Sequence, residues 1–129
     1  MSDKLILIKK RPDFLHVTHN GYKIVKSGFV LQAAFSRRFF PIPVYRIGYT
    51  ASKKIGNAVQ RNRAKRRLRA ACRALLPLEA VPGYDYVIIA RHMVLDMPYK
   101  KLYKELKTAL TEIKQEFDDD FRTTDESNE

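Results

Sequence analysis

The sequence predicts a single α/β domain whose elements run helix, three strands, helix, strand, helix. Three observations predict it. Short runs of aromatic and branched residues are punctuated by Gly and Pro, as strands are. Two longer stretches, after Asn57 and after Pro98, contain no Gly and show helical apolar periodicity. A chain of 129 residues with 45% hydrophobic content is large enough for one core and too short for two.

Pro12 and Asp13 suit a helix first turn, and Phe14, Leu15 and Val17 give that helix an apolar side before Asn20 and Gly21 end it. Tyr22 to Val25 and, after Gly28, Phe29 to Phe35 read as two strands, the second with Phe29, Leu31, Ala33 and Phe35 on one face. Ser36 to Pro43 holds two Arg, two Phe and two Pro and reads as a loop. From Val44 to Ala51, Tyr45, Ile47 and Tyr49 alternate with Arg46, Gly48 and Thr50, the period of a half-buried strand. Asn57 to about Leu76 is a long second helix that Pro77 is expected to stop. Tyr84 to Ala90, with Val87, Ile88 and Ile89, reads as a buried strand. Asp96 is the expected cap of a third helix with Pro98 in its first turn. Its stripe runs Tyr99, Leu102, Leu106, Leu110, Ile113, Phe117 and should pack on the sheet. Beyond Phe121 the acidic residues have nothing to bury, and disorder is expected.

The net charge is +11, distributed unevenly. Between Asp13 and Glu79 there is no carboxylate, yet fourteen Lys and Arg fall there. The last fourteen residues hold seven of the carboxylates, leaving a charge of +17 on the preceding 115. Such a field attracts polyanions, because Lys and Arg on phosphates release condensed counterions. Nucleic acid is therefore the expected partner. No apolar run reaches the roughly 18 residues of a membrane-spanning helix, and Leu5 to Ile8 is too short for a signal-peptide core, so a cytoplasmic location and no membrane partner are expected. Cys72 is the only cysteine, which excludes an internal disulfide and a thiolate metal cage.

Plotted at about 100° per residue, the second helix has two faces. Ala64, Leu68, Ala71, Cys72 and Leu75 lie on one, and Asn62, Lys65, Arg66, Arg69 and Arg73 on the other, with Arg61, Arg63 and Arg67 flanking. Like charges three and four apart repel, and no Glu is interleaved to relieve them. An external anion is the expected neutraliser, and Arg is the residue whose planar fork best grips phosphate. Just upstream, Ser52, Lys53, Lys54, Ile55 and Gly56 form a loop. Gly56 permits close backbone approach there, and Asn57 opens a helix whose free amides can receive a phosphate.

The run from Lys53 to Arg69, containing Arg61-Asn62-Arg63, resembles the signature of the bacterial ribonuclease P protein family, as does the strand Tyr84-Asp85-Tyr86-Val87-Ile88-Ile89-Ala90-Arg91. The resemblance covers Lys10 to Phe117, leaving residues 1–9 as an N-terminal extension and 118–129 as an acidic tail. It implies a two-layer αβββαβα sandwich with a left-handed β–α–β crossover, an exception to the usual hand. It further implies a protein subunit that helps a catalytic RNA remove the 5′ leader from precursor tRNA, with Mg²⁺ held mainly by the RNA and no obligate protein partner. Carried over by position, Lys53, Lys54, Asn57, Arg61, Asn62, Arg63, Lys65, Arg66, Arg69 and Arg73 face RNA, and a cleft between the first helix and the sheet, at Phe14, Thr18 and Gln32, holds the leader. Phe14 is equally readable as core. Thr18 and Gln32 stand where the family often has aromatics, so hydrogen bonds and charge, rather than stacking, are expected to hold the leader.

No catalytic or metal-binding constellation is visible in the chain. Asp13, Glu79, Asp85 and Asp96 are scattered, His16 and His19 have no Cys or carboxylate motif beside them, and His92 stands alone. Cys72 lies on the apolar face and reads as core. Tyr45, Tyr49, Tyr84 and Tyr86 read as packing residues. The alternative from another class is a structural or ribosomal-type RNA-binding protein with no part in tRNA cleavage. The acidic tail is either an inert end or a segment that folds back on the basic face.

Overall fold

The structure, a computed structural model, describes residues 6–36 and 45–127, with side chains to Asp119. Its strands are β1 (Ile6–Leu7), β2 (Tyr22–Val25), β3 (Phe29–Phe35), β4 (Arg46–Thr50) and β5 (Tyr84–Ala90). The helices are α1 (Arg11–Asn20), α2 (Ala58–Glu79) and α3 (Tyr99–Ser127), with 3-10 turns at Lys53–Ile55 and His92–Leu95. One mixed sheet in the order β1-β4-β5-β3-β2 results. β4 runs parallel to both β1 and β5, while β3 is antiparallel to β5 and β2. The parallel β4–β5 pair is joined through α2, as a parallel connection requires a crossover.

Strand alternation sorts side chains to two faces. Phe29, Leu31 and Ala33 of β3, Ile47 of β4 and Tyr84, Tyr86 and Ile88 of β5 join the main core with α2 and α3. Ala34, Val87 and Ile8 point the other way and meet Val17 of α1, with Phe14 and Ile89 packed beside them. α1 is short and covers only part of this face, which leaves an open groove beside it.

Several expectations are corrected. Ile6–Leu7 form a strand on β4, and Ile8 is buried, so part of the expected N-terminal extension belongs to the sheet. α2 passes through Pro77 to Glu79, because Leu75 and Leu76 are buried and Ala80 N–H still closes on the Leu76 carbonyl. A proline this close to the end withdraws only its own amide and leaves the rest of the ladder intact. Asp96 does not cap α3: it closes the preceding 3-10 turn, and the first carbonyl to accept helical bonds is that of Pro98. The backbone of α3 continues to Ser127, past the point where disorder is expected, since no Gly or Pro follows Pro98. Its buried stripe is Leu102, Leu106, Ala109, Leu110, Ile113 and Phe117, whereas Tyr99 is 44% exposed. Phe35, placed with the core face, is 63% exposed and touches Tyr84 edge-on, with centroids 5.6 Å apart. The expected loop lies outside the described residues from position 37 to 44.

Candidate nucleic-acid interface

The start of α2 is built by a reciprocal cap. Asn57 Oδ1 accepts from the Gln60 amide and Gln60 Oε1 accepts from the Asn57 amide, both at 2.9 Å. Gly56 has φ of 145°, a backbone state that disfavours any residue with a Cβ, and a Cβ there would also overlap the Gln60 side chain. One turn earlier, Ser52 Oγ accepts from the Lys54 amide at 3.3 Å and Ile55 is buried, so Lys53 and Lys54 are held exposed on a fixed turn.

Along α2, Ala64, Leu68, Ala71, Cys72, Leu75 and Leu76 are all buried. Asn62, Arg63, Arg66 and Arg73 are exposed, and Arg61, Lys65 and Arg69 are half-buried. Among the described residues no carboxylate pairs with any of these cations. Arg61, Asn62 and Lys65 line, with Ala51 and Ala58, a recess of about 130 Å³ between the end of β4 and the first turns of α2. The Arg69 guanidinium lies over the Tyr49 ring at 5.4 Å, a cation–π contact that orients it. Asn57 differs from the rest of the predicted set in that its side-chain oxygen caps the helix. Arg67 is also spoken for: Nη2 donates to the Met97 carbonyl and ties α2 to the segment before α3.

On the opposite face of the sheet, the groove beside α1 has a volume of about 420 Å³. Phe14, Leu15 and Thr18 of α1 form one wall, Val87 and Ile89 of β5 the floor, and Thr50, Lys9 and Arg11 the remaining rim. Thr18 Oγ1 donates to Gln32 Oε1 at 3.3 Å, so two of the predicted groove residues meet directly, with Gln32 buried. Phe14 is half-buried, packed on the minor core and lining the groove. Thr50 lines this groove and its neighbour Ala51 lines the recess on α2, so the two features adjoin at the end of β4.

Sequence reasoning missed the polar anchor behind the groove. Arg46 donates through Nε to Asp85 Oδ1 at 2.9 Å and through Nη2 to Asp85 Oδ2 at 2.6 Å, with Nη1 reaching Asp13 at 3.4 Å. Asp13 and Asp85, scattered in sequence, therefore meet at one guanidinium. The Asp85 hydrogen bond is the main reason that the Arg46 pKa is raised further, against the opposing effect of burial. Only the register that places Arg46 opposite Asp85 discloses the pairing, and strand patterning alone does not contain that register.

His16 is in structural use. His16 Nε2 lies 3.0 Å from the Phe35 carbonyl, and Nδ1 lies 3.2 Å from Asn20 Nδ2. A neutral ring protonated at Nε2 satisfies both contacts. Burial pushes the Cys72 thiol up to about 12 and raises the Tyr49 phenol well above its usual range. Among the described residues no three His, Cys, Asp or Glu side chains cluster in a way that could hold a metal ion. No helix of the described residues is long and apolar enough to cross a membrane.

Residues 3–114 match the family model Ribonuclease P. The ribonuclease P protein component of Paramagnetospirillum magneticum is 43% identical over 114 residues, covering 88% of this chain and 86% of that protein. That of Caulobacter vibrioides is 42% identical over 111 residues, covering 86% and 72%. The solved RNase P protein of Staphylococcus aureus superposes with a TM-score of 0.68 at 30% identity, over 84% of this chain and 94% of that one. The fold, the basic face of α2 and these relatives together show that the chain belongs to the ribonuclease P protein family.

Proposed function

We propose that this chain is the RNA-gripping protein subunit of ribonuclease P, presenting α2 and the Lys53–Ile55 turn to the catalytic RNA and the groove beside α1 to the 5′ leader of precursor tRNA. One observation carries the reading: a cationic face that no carboxylate pairs among the described residues and an open groove lie on opposite faces of one sheet and adjoin at Thr50 and Ala51. A single-stranded leader leaving the cleavage site of an RNA bound along α2 can thus enter the groove without a long detour.

The chain's part in the reaction is electrostatic and positional. Arg61, Asn62, Arg63, Lys65, Arg66, Arg69 and Arg73, with Lys53 and Lys54, screen RNA phosphates and fix the subunit's register. In the groove, Phe14 offers an apolar surface, Thr18 offers a hydroxyl backed by buried Gln32, and Lys9 and Arg11 supply charge at the rim. The described side chains do not form a ligand set for Mg²⁺: Asp13 and Asp85 are engaged by Arg46. On this reading Mg²⁺ is held mainly by the RNA subunit, where it would supply the charge stabilisation that phosphodiester hydrolysis requires. The working environment is the cytoplasm, with RNA and precursor tRNA as partners and no obligate protein partner.

The test is cleavage of a labelled precursor tRNA by a bacterial ribonuclease P RNA at low magnesium, with and without this chain. Stimulation is expected. No stimulation, with RNA binding intact, would favour the structural RNA-binding alternative.

A further inference from the structure

The groove wall formed by α1 is unusual in how little apolar burial fixes it. Val17 is the only fully buried side chain of α1. A ten-residue helix held by one buried side chain is free to rotate or slide by fractions of a turn unless polar or steric contacts stop it. Two such contacts come from β4. Arg46 and Gly48 are two apart on the strand and so share the face toward α1. Asp13 and Phe14 are consecutive on the first turn of α1 and meet these two positions in order.

The Asp13 contact is to a guanidinium that is already locked. Asp85, across the parallel β4–β5 register, takes Nε and Nη2 of Arg46 in a two-pronged grip, and Nη1 is left pointing at Asp13. The three side chains are 9%, 14% and 3% exposed for Arg46, Asp13 and Asp85, so the contact is shielded from water. The Phe14 contact is steric. A Cβ built at Gly48 would lie 2.5 and 2.8 Å from two ring carbons of Phe14, so the ring rests directly on the strand backbone. Toward its other end, α1 is tied to β3 by the His16 contact to the Phe35 carbonyl.

We propose that Asp13, Arg46 and Gly48 are positioning residues for the leader groove: they fix the rotation and height of α1, and thereby the separation of Phe14 and Thr18 from the Val87 and Ile89 floor, without touching RNA themselves. This rests on the reading of the groove as the leader site. The leader contributes only when the wall stands at the right distance, so loosening the clamp lowers leader affinity selectively and leaves the α2 interface as it was.

The experiment uses the holoenzyme assembled from this chain and a bacterial ribonuclease P RNA, with precursor tRNAs carrying either a long single-stranded leader or one leader nucleotide. Asp13→Asn keeps the shape and the Arg46–Asp85 pair, so the protein remains folded; a thermal melt checks this. The expected result for Asp13→Asn is a KM higher by about fivefold, the scale of one weakened charge-assisted contact, and Gly48→Ala, whose Cβ displaces the Phe14 ring, raises KM in the same direction. The rise is confined to the long-leader substrate, with kcat unchanged and affinity for the RNA subunit unchanged. Asp13→Glu, which keeps the charge, restores most of the loss, whereas a merely stabilising contact would leave KM insensitive to all three. Phe14→Ala is measured alongside. If Phe14→Ala raises KM for the long leader and the Asp13 and Gly48 variants do not, the clamp is refuted and the groove reading stands. If Phe14→Ala also leaves KM unchanged, the groove reading itself falls, and the clamp with it.

Discussion

Two kinds of arginine share α2, and the structure separates them. Arg63, Arg66 and Arg73 are exposed with no protein partner among the described residues, whereas Arg67 donates to the Met97 carbonyl and is half-buried. Replacing the first three by Gln removes charge but no internal contact. If each meets one phosphate, the dependence of log affinity on log salt becomes shallower by about 0.7–0.9 per residue, or roughly 2–3 for the triple variant. Between about 50 and 200 mM salt the native protein then loses roughly 20- to 40-fold more RNA affinity than the variant does. Stability is unchanged within about 0.5 kcal/mol, as for surface substitutions. Arg67→Met has the opposite signature. It removes a charge-assisted bond to a backbone carbonyl, costing about 2 kcal/mol, or roughly 6–10 °C in Tm for a chain of this size, and leaves the salt slope nearly unaltered. The assays are filter binding of the RNA subunit over a salt series and calorimetric melting. Equal slope changes from Arg67→Met and from one exposed arginine would refute the division.

Three further predictions follow from the geometry. Asn57→Ala removes the reciprocal cap with Gln60 and should cost about 1 kcal/mol in chemical denaturation, with the helix frayed at its RNA-facing start. Cys72 and Tyr86 are both pushed up to about 12 from ordinary values near 9 and 10. The folded state therefore holds protons that the unfolded state has lost, so stability is intact below about pH 9 and falls as pH rises toward 12. Denaturant midpoints across that range check it, and a midpoint that rises with pH would contradict it. Cys72 should also resist thiol reagents in the native protein at neutral pH and react on unfolding, which a timed alkylation reads directly.

Much of the fold was legible because Gly and Pro punctuate it. β2, β3 and β5 have the bounds that the runs after Gly21, Gly28 and Gly83 suggest, and α2 shows the two faces that its periodicity implies. What escaped was long-range. Ile6–Leu7 is too short to have strand character alone and exists only because β4 offers an edge. The Arg46 anchor joins residues 33 and 39 positions apart and depends on register, which local patterning does not encode. Pro77 misled because a breaker near a helix end is overridden once Leu75 and Leu76 are buried. Of the predicted site, the cations lie along α2 and the turn before it, exposed at Lys53, Lys54, Arg63, Arg66 and Arg73 and half-buried at Arg61, Lys65 and Arg69, and Thr18 meets Gln32, but that Arg67 turns inward to Met97 could be known only from the packing of α2 against the turn before α3.

The two-face account is tested most directly by where RNA is captured. A thiol-attached photocrosslinker is placed at Arg73→Cys on α2 or at Thr18→Cys on the groove wall, with buried Cys72 remaining unlabelled, in the holoenzyme bound to precursor tRNA. The account predicts crosslinks to the catalytic RNA from position 73 and to the leader from position 18. Leader crosslinks from position 73, or catalytic-RNA crosslinks alone from position 18, would contradict it.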